Sequence, residues 1–168
     1  LVAGPVHLPT PRGVQRIDVR SARQMLDAVQ AQVDQASVFV ATAAVADWRP
    51  DTQADQKIKK DGSGQTPALK FVENPDILAT VAQSARARSG ALFCVGFAAE
   101  SHDLLAHATA KRVRKGVPLL VGNIGPATFG QDDNALLLVD DAGARELPHA
   151  SKQVLAQQLI ADIAARLK

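Results

Sequence analysis

Short, uninterrupted apolar runs separated by helical patterns limit this chain's folding choices more than any other feature. "SVFVATA" (37–43), "ALFCVGF" (91–97) and "PLLVGN" (118–123) are β-branched or apolar throughout, apart from Ser37 and Asn123 at their ends. A strand with only one buried face would alternate instead, so these three read as strands covered on both faces, as in a parallel sheet. Between them lie segments of helical period. "SARQ" at 21–24 is a capping box, followed by Met25, Leu26, Val29 and Val33 at helical spacing. "NPDILATVAQSARAR" (74–88) predicts one helix, with Asn74 as cap, Pro75 in the first turn and Asp76 adding negative charge there. A further helix is expected from Ser101 and Asp103 to Lys115, stopped by Gly116. A last one, Ser151 to Leu167, carries Val154, Leu155, Leu159, Ile160, Ile163 and Leu167 on one stripe. "VQRIDV" (14–19) and "ALKFVE" (68–73) alternate as strands, and "NALLLVD" and "ARELPHA" form a hairpin turning at "DAG". The fold class is α/β: a Rossmann-like, doubly wound, mainly parallel sheet with an antiparallel edge addition.

Composition narrows the function. With 168 residues, 46% of them apolar, one domain with a sizeable core is expected over 1–168. Aromatics are 4% with no Tyr and the net charge is only +2, which argues against nucleic acid as partner. The longest apolar run, Ala36 to Ala46, is broken by Ser37 and Thr42, so no membrane span is expected, and the cytoplasm is the expected location. Cys94, the one cysteine, sits in an apolar run and reads as a buried thiol rather than a nucleophile. The four histidines lack zinc-ligand spacing. There is no P-loop, no G-x-G-x-x-G and no G-x-S-x-G elbow. Lysines, a few carboxylates and backbone groups remain as the means of catalysis, which suits phosphate or nucleotide chemistry.

In a doubly wound sheet ligands bind at the carboxyl ends of the strands, which points to "AAVADWRP", "GFAAES" and "NIGPATFG". Small residues at Ala41, Thr42, Ala43 and Ala44 would let a flat ligand approach the backbone. Asp47 would accept from a ligand hydroxyl, position a metal, or merely form a turn. "ADQKIKKDG" crowds Lys57, Lys59 and Lys60 around Ile58, and an extended register would put Lys57 and Lys59 on one face. Water can solvate such a run; a polyanion would reverse the repulsion. Lys111 and Lys115 share one helix face, where the macrodipole offers a structural reason for cations. The helix start at "NPDIL" presents backbone N–H groups to an anion.

In order along the chain, "GPVHLPTP", "ATAAVADWRP", "QKIKK", "KFVENPDIL", "VGFAAES", "AKRVRK" and "GN" resemble the phosphopantothenate–cysteine ligase (phosphopantothenoylcysteine synthetase) domain of the bacterial coenzyme A biosynthesis bifunctional proteins. The resemblance implies a two-step ligation. The carboxylate of 4′-phosphopantothenate attacks the α-phosphate of CTP, giving an acyl-cytidylate and pyrophosphate, with Mg2+ attending the triphosphate. The amine of cysteine then displaces CMP. The family's nucleotide-binding positions fall on Ala41, Thr42, Ala43, Asp47, Lys57, Pro75, Asp76, Ile77, Leu78, Phe97, Lys111 and Lys115, with Lys57 as the catalytic lysine. Metal ligands stay unassigned. The resemblance also implies a homodimer joined through mid-chain strands, for which "TPALKFV" is the candidate, and a fused flavin-dependent decarboxylase domain that carries FMN. Three departures stand out. The family's N-terminal strand, glycine-containing turn, "SNHSSG"-like segment with its asparagine, and helix are not in these residues, so N-terminal truncation is expected. Pro118 stands where the family usually has Asp, and the decarboxylase domain is not in the chain. Two other classes fit part of the pattern: a non-catalytic nucleotide-binding or sensing module, and a Rossmann-type oxidoreductase.

Overall fold

Three apolar runs become neighbouring parallel strands in the computed structural model. It describes all residues except Gln53, Asp55, Asp61, Ser63, Gln65, Pro67, Phe129 and Lys168, and the side chains of Pro126 and Ala127. The elements in chain order are β1 (Val2–Ala3), β2 (Ile17–Asp18), α1 (Ala22–Val33), β3 (Val38–Ala41), β4 (Trp48–Pro50), β5 (Phe71–Glu73), α2 (Ile77–Ala82), α3 (Ala85–Arg88), β6 (Phe93–Glu100), α4 (Leu104–Lys115), β7 (Leu119–Ile124), α5 (Gly125–Thr128), β8 (Asp133–Asp140), β9 (Gly143–Ser151) and α6 (Lys152–Arg166). They fall into two compact units, residues 1–29 with 43–77, and residues 30–42 with 78–168.

The larger unit holds a five-stranded sheet in the order β3-β6-β7-β8-β9. β3, β6 and β7 run parallel, and β8 and β9 add to the β7 edge antiparallel. The expected antiparallel edge addition is therefore present, and its hairpin turns between Asp140 and Gly143. One face buries Val95, Leu119, Val121, Leu136, Leu138 and Leu147 against Leu155, Leu159 and Ile163 of α6. These three recur every fourth residue, so the buried stripe of α6 is narrower than the sequence pattern suggests. Val154, Ile160 and Leu167 of that stripe are exposed. Ser151 caps α6, its Oγ accepting from Val154 N–H at 3.3 Å.

On the opposite face the helices come close because two strand positions lack side chains. A Cβ on Gly96 would meet Leu78 Cδ2 and Leu120 Cδ1, each at 2.7 Å; one on Gly122 would lie 2.8 Å from Leu104 Cδ1 and 3.4 Å from Ala108 Cβ, both on α4. Ala108 is fully buried at that contact. Gly122→Val should therefore destabilise the fold by about 1–3 kcal/mol through overpacking. Urea unfolding measures this, and an unchanged midpoint would mean that α4 is free to move off β7. Helices on both faces make the sheet doubly wound, as the alternation of elements indicates.

Asp140, at the end of β8, accepts from Arg166 at 2.7 Å, and Arg166 also bonds Asp162 at 2.7 Å. Arg145 forms a further ion pair with Asp162. The hydrogen bond from Arg166 holds the Asp140 carboxyl below its ordinary range. A depressed carboxylate contributes stability above its unfolded-state range and loses it as the pH falls through its folded value. Asp140→Asn should thus lower stability near neutral pH, by no more than about 1 kcal/mol for a partly exposed ion pair. The difference from the native chain should vanish in acid. Equal losses at pH 7 and pH 3 in urea titrations would contradict this account.

The smaller unit contains two short ribbons, β1–β2 parallel and β4–β5 antiparallel. The capping box at the start of α1 forms in full: Ser21 Oγ accepts from Gln24 N–H, and Gln24 Oε1 accepts from Ser21 N–H, each at 3.2 Å.

Several elements differ from expectation. The strand over 14–19 contracts to β2. The strand over 68–73 contracts to β5, paired with β4, which the sequence reading treats only as a site segment; Pro50 sits at a position of this ladder that needs no N–H, and Asp51 N–H beyond it still donates to Lys70 O at 2.9 Å. The helix over 74–88 starts later, at Ile77, and divides into α2 and α3. Ser84 restarts it by accepting from Ala87 N–H at 3.2 Å. Asn74 is drawn away instead, its Nδ2 donating to Ala46 O at 2.8 Å. Asp103 precedes α4 in a left-handed conformation, φ 46°, and makes no side-chain cap. Gly116 does end that helix, also left-handed. The loop expected over 59–67 lies partly outside the described residues.

Candidate functional site

The site residues named from sequence are divided between the two units. Ala43, Asp47, Lys57, Pro75, Asp76 and Ile77 belong to the smaller one, and Ala41, Thr42, Leu78, Phe97, Lys111 and Lys115 to the larger.

In the smaller unit, the β4–β5 ribbon joins two stretches that are distant in sequence. Trp48 pairs with Glu73 and Arg49 with Val72. This registers Asp47 beside Asn74, whose N–H donates to Asp47 O at 2.7 Å. Arg49, which sequence reasoning missed, clamps the junction by donating to Glu73 O and, at 3.2 Å, to Asn74 Oδ1. The "VADWR" and "ENPD" stretches thus form one backbone-locked corner. The Asp47 side chain is exposed there, and Pro75 and Asp76 lead into α2. Lys57, Ile58, Lys59 and Lys60 are all exposed and belong to no strand. Ile58, 57% exposed, gives the three ammonium groups no buried anchor. Their charge is available to a polyanion. The ribbon also presents an apolar face: Trp48 is 61% exposed and Phe71 57%, on the same side in this register.

In the larger unit, Ala41 ends β3 and Thr42 follows it, exposed, at the carboxyl rim of the parallel strands. Phe97 packs against the α6-side core. Glu100, three residues further along β6, ends that strand. In paired parallel strands, neighbours in register share a face; Ala98 pairs with Gly122 under α4, so Glu100, two residues on, also points to the α4 side. There its carboxylate meets two side chains one turn apart on α4: His107 Nδ1 and Lys111 Nζ, each at 3.7 Å. Lys115 lies one turn beyond Lys111. His102 packs edge-on against His107, with ring centroids 5.0 Å apart. Neither Glu100 nor His107 was singled out from sequence, although Glu100 lies in the inspected "GFAAES" stretch and His107 precedes Lys111 by four residues.

Arg112 turns away from this group, as its helical position requires, and pairs with Asp141 at 2.6 Å. Cys94 is buried, and burial pushes its thiol up to about 11, which leaves it protonated and unreactive at neutral pH. Among the described residues no three His, Cys, Asp or Glu side chains gather to hold a metal ion. None of the described helices is long and apolar enough to cross a membrane.

Comparison with known proteins gives a consistent picture. The family model described as DNA/pantothenate metabolism flavoprotein C-terminal domain matches residues 1–167. The chain is 45% identical over 163 residues to the coenzyme A biosynthesis bifunctional protein CoaBC of Vibrio cholerae, covering 95% of this chain and 40% of that protein. It is 43% identical over 170 residues to the protein of the same name from Escherichia coli K12, covering 99% and 41%. The chain therefore spans about two fifths of the length of these relatives. A crystal structure of the C-terminal domain of CoaBC superposes with a TM-score of 0.78 at 28% identity, covering 99% of this chain and 72% of that one. A family match over all but the last residue, together with a shared fold, accounts for the run of motifs from "GPVHLPTP" to "GN": this chain belongs to the DNA/pantothenate metabolism flavoprotein C-terminal domain family.

Proposed function

We propose that residues 1–168 act as one ligase domain that joins 4′-phosphopantothenate to cysteine, using CTP, in coenzyme A biosynthesis. The observation that carries this reading is the 45% identity, over 95% of the chain, to a coenzyme A biosynthesis bifunctional protein. The chemistry of the side chains supports it. The buried, protonated Cys94 is no nucleophile, which agrees with direct activation of the acid by CTP. A carboxylate oxygen of phosphopantothenate attacks the α-phosphorus and pyrophosphate leaves with the electron pair of the broken P–O bond. The amine of cysteine then attacks the acyl carbon, its proton passes to solvent, and CMP departs with the electron pair of the broken acyl C–O bond. Both steps move charge among phosphoryl and carboxyl oxygens, which fixed cations stabilise without proton transfer from the protein.

In this reading Lys57 faces the charge that builds up at the reacting phosphate and acyl group. In the smaller unit, Asp47 and the corner it shares with Asn74 orient the nucleoside together with Ala43, Pro75, Asp76 and Ile77; Ala41, Thr42, Leu78 and Phe97 are the nucleotide-binding positions proposed for the larger unit. Lys111 and Lys115 meet phosphate. The described residues offer no carboxylate cage, so Mg2+ would enter bound to the triphosphate, as is usual for this cation, and no step here depends on protein ligands to it. A second copy of the chain would cover the exposed Trp48 and Phe71 face, making the enzyme a homodimer through the "TPALKFV" strand; Pro67 of that stretch lies outside the described residues. A fused flavin-dependent decarboxylase, carrying FMN, would consume the product in the cytoplasm.

The test is an assay of the full-length protein with 4′-phosphopantothenate, cysteine and either CTP or ATP. Pyrophosphate release that needs the acid, and CMP release that also needs cysteine, are the expected results. CTP binding without cysteine-dependent CMP would overturn the ligase in favour of a sensing module.

A further inference from the structure

The Glu100 cluster has a property that the ligation chemistry alone does not require. A single carboxylate, 22% exposed, is shared by an ammonium and an imidazole, each at 3.7 Å. One partner is an ammonium; the other is an imidazole, the side-chain type whose charge changes near neutral pH. The distances are those of loose ion pairs, beyond hydrogen-bond length, so either partner can take the carboxylate more closely when the other leaves.

We propose that Glu100 and His107 are positioning residues for Lys111, and that nucleotide binding at Lys111 is coupled to proton uptake by His107. The proposal rests on the reading that Lys111 binds nucleotide phosphate. At rest, Glu100 draws Lys111 toward the end of β6. When a phosphate claims the ammonium, Glu100 is left with His107 as its remaining partner. The vacated carboxylate and the nearby phosphate both favour a charged imidazole. His107 then takes a proton from solvent, and the Glu100 charge stays balanced without Lys111. By linkage, a ligand whose binding takes up a proton binds more tightly as the pH falls through the histidine range.

The surroundings of His107 leave few competing charges. His102 touches it edge-on, and Asp103 lies 4.0 Å from the far nitrogen of His102. That carboxylate offsets part of the repulsion when both rings are charged. From the strands under α4, β7 contributes no ionic side chain. The acidic ends of β8 are occupied elsewhere, Asp133 near His149 and Asp140 with Arg166. On α4 itself, Arg112 is held by Asp141, and Arg114 and Lys115 are the further cations, seven and eight residues along from His107.

Isothermal titration of CTP into the full-length protein at pH 7, in two buffers of different ionisation heat, counts the protons taken up. Native protein should take up about half a proton more per CTP than His107→Gln, the size expected for a histidine moved across neutrality by a neighbouring charge. Glu100→Gln should remove at least half of that excess. Between pH 8 and pH 6, CTP affinity should improve roughly fivefold more in the native protein than in His107→Gln, a comparison in which the nucleotide's own protonation cancels. A structural role for His107 would move neither quantity. Equal proton uptake in native protein and His107→Gln, with Lys111→Ala still weakening CTP, overturns the coupling and leaves the nucleotide role of Lys111 standing. An unchanged affinity in Lys111→Ala overturns both.

Discussion

Lys57→Gln should lower the rate of pyrophosphate release by about 10²–10³-fold, the loss typical of removing one preorganised charge from a developing oxyanion. The substitution keeps the length and polarity of the side chain while deleting its charge. Lys57 is exposed and belongs to no helix or strand, so folding stability should stay within about 0.5 kcal/mol of native. Single-turnover measurement of acyl-cytidylate formation separates this step from binding. Lys59 and Lys60 supply the control: if the "KIKK" run acts only as a diffuse positive patch, each of the three substitutions should cost the same small factor and salt should mimic them all. A loss confined to Lys57 marks a specific contact, and unchanged turnover in Lys57→Gln would remove it from the mechanism.

Lys111→Ala carries the second large effect. Losing one charged hydrogen bond to phosphate costs about 1.5–3 kcal/mol, or roughly 10- to 150-fold in the KM for CTP. The change should appear mainly in KM if Lys111 meets phosphate as proposed, since a contact made before and during reaction alike affects binding rather than turnover. Lys111→Arg should recover part of the affinity, because a guanidinium also binds phosphate. The alternative role for Lys111 is structural, a cation near the C-terminal end of α4 and beside Glu100. In that case KM would be unaffected and the thermal midpoint would fall instead.

Much of the larger unit could be read directly from the sequence. The apolar runs at 37–43, 91–97 and 118–123 became β3, β6 and β7, because strands buried on both faces must be apolar throughout. Ser21, Ser151 and Gly116 acted as the boundaries their chemistry specifies, since capping depends on residues within one turn. The Asp140–Gly143 hairpin is equally local. The smaller unit was harder to read. "ALKFVE" has strand alternation, but its pairing partner, Trp48 to Pro50, lies some twenty residues earlier behind a segment with no strand pattern. Asn74 shows the same conflict: its sequence context suits a helix cap, yet its side chain bonds Ala46 and Arg49.

For the site, the motifs named candidate residues, while contacts across the fold set their geometry. Lys111 and the "ADWR" and "NPD" stretches stand out in a linear reading. Glu100 acquires meaning only because Gly122 and Ala108 let α4 settle close to the sheet, bringing His107 and Lys111 to its carboxylate. Residue type, period and caps determined which segments are helix or strand, because those preferences act over a few neighbouring residues. The tertiary structure decided which distant edges and charges meet, because pairing Trp48 with Glu73 depends on long-range backbone hydrogen bonding and bringing Glu100 to His107 and Lys111 depends on helix–sheet packing, and both form only once the chain has folded.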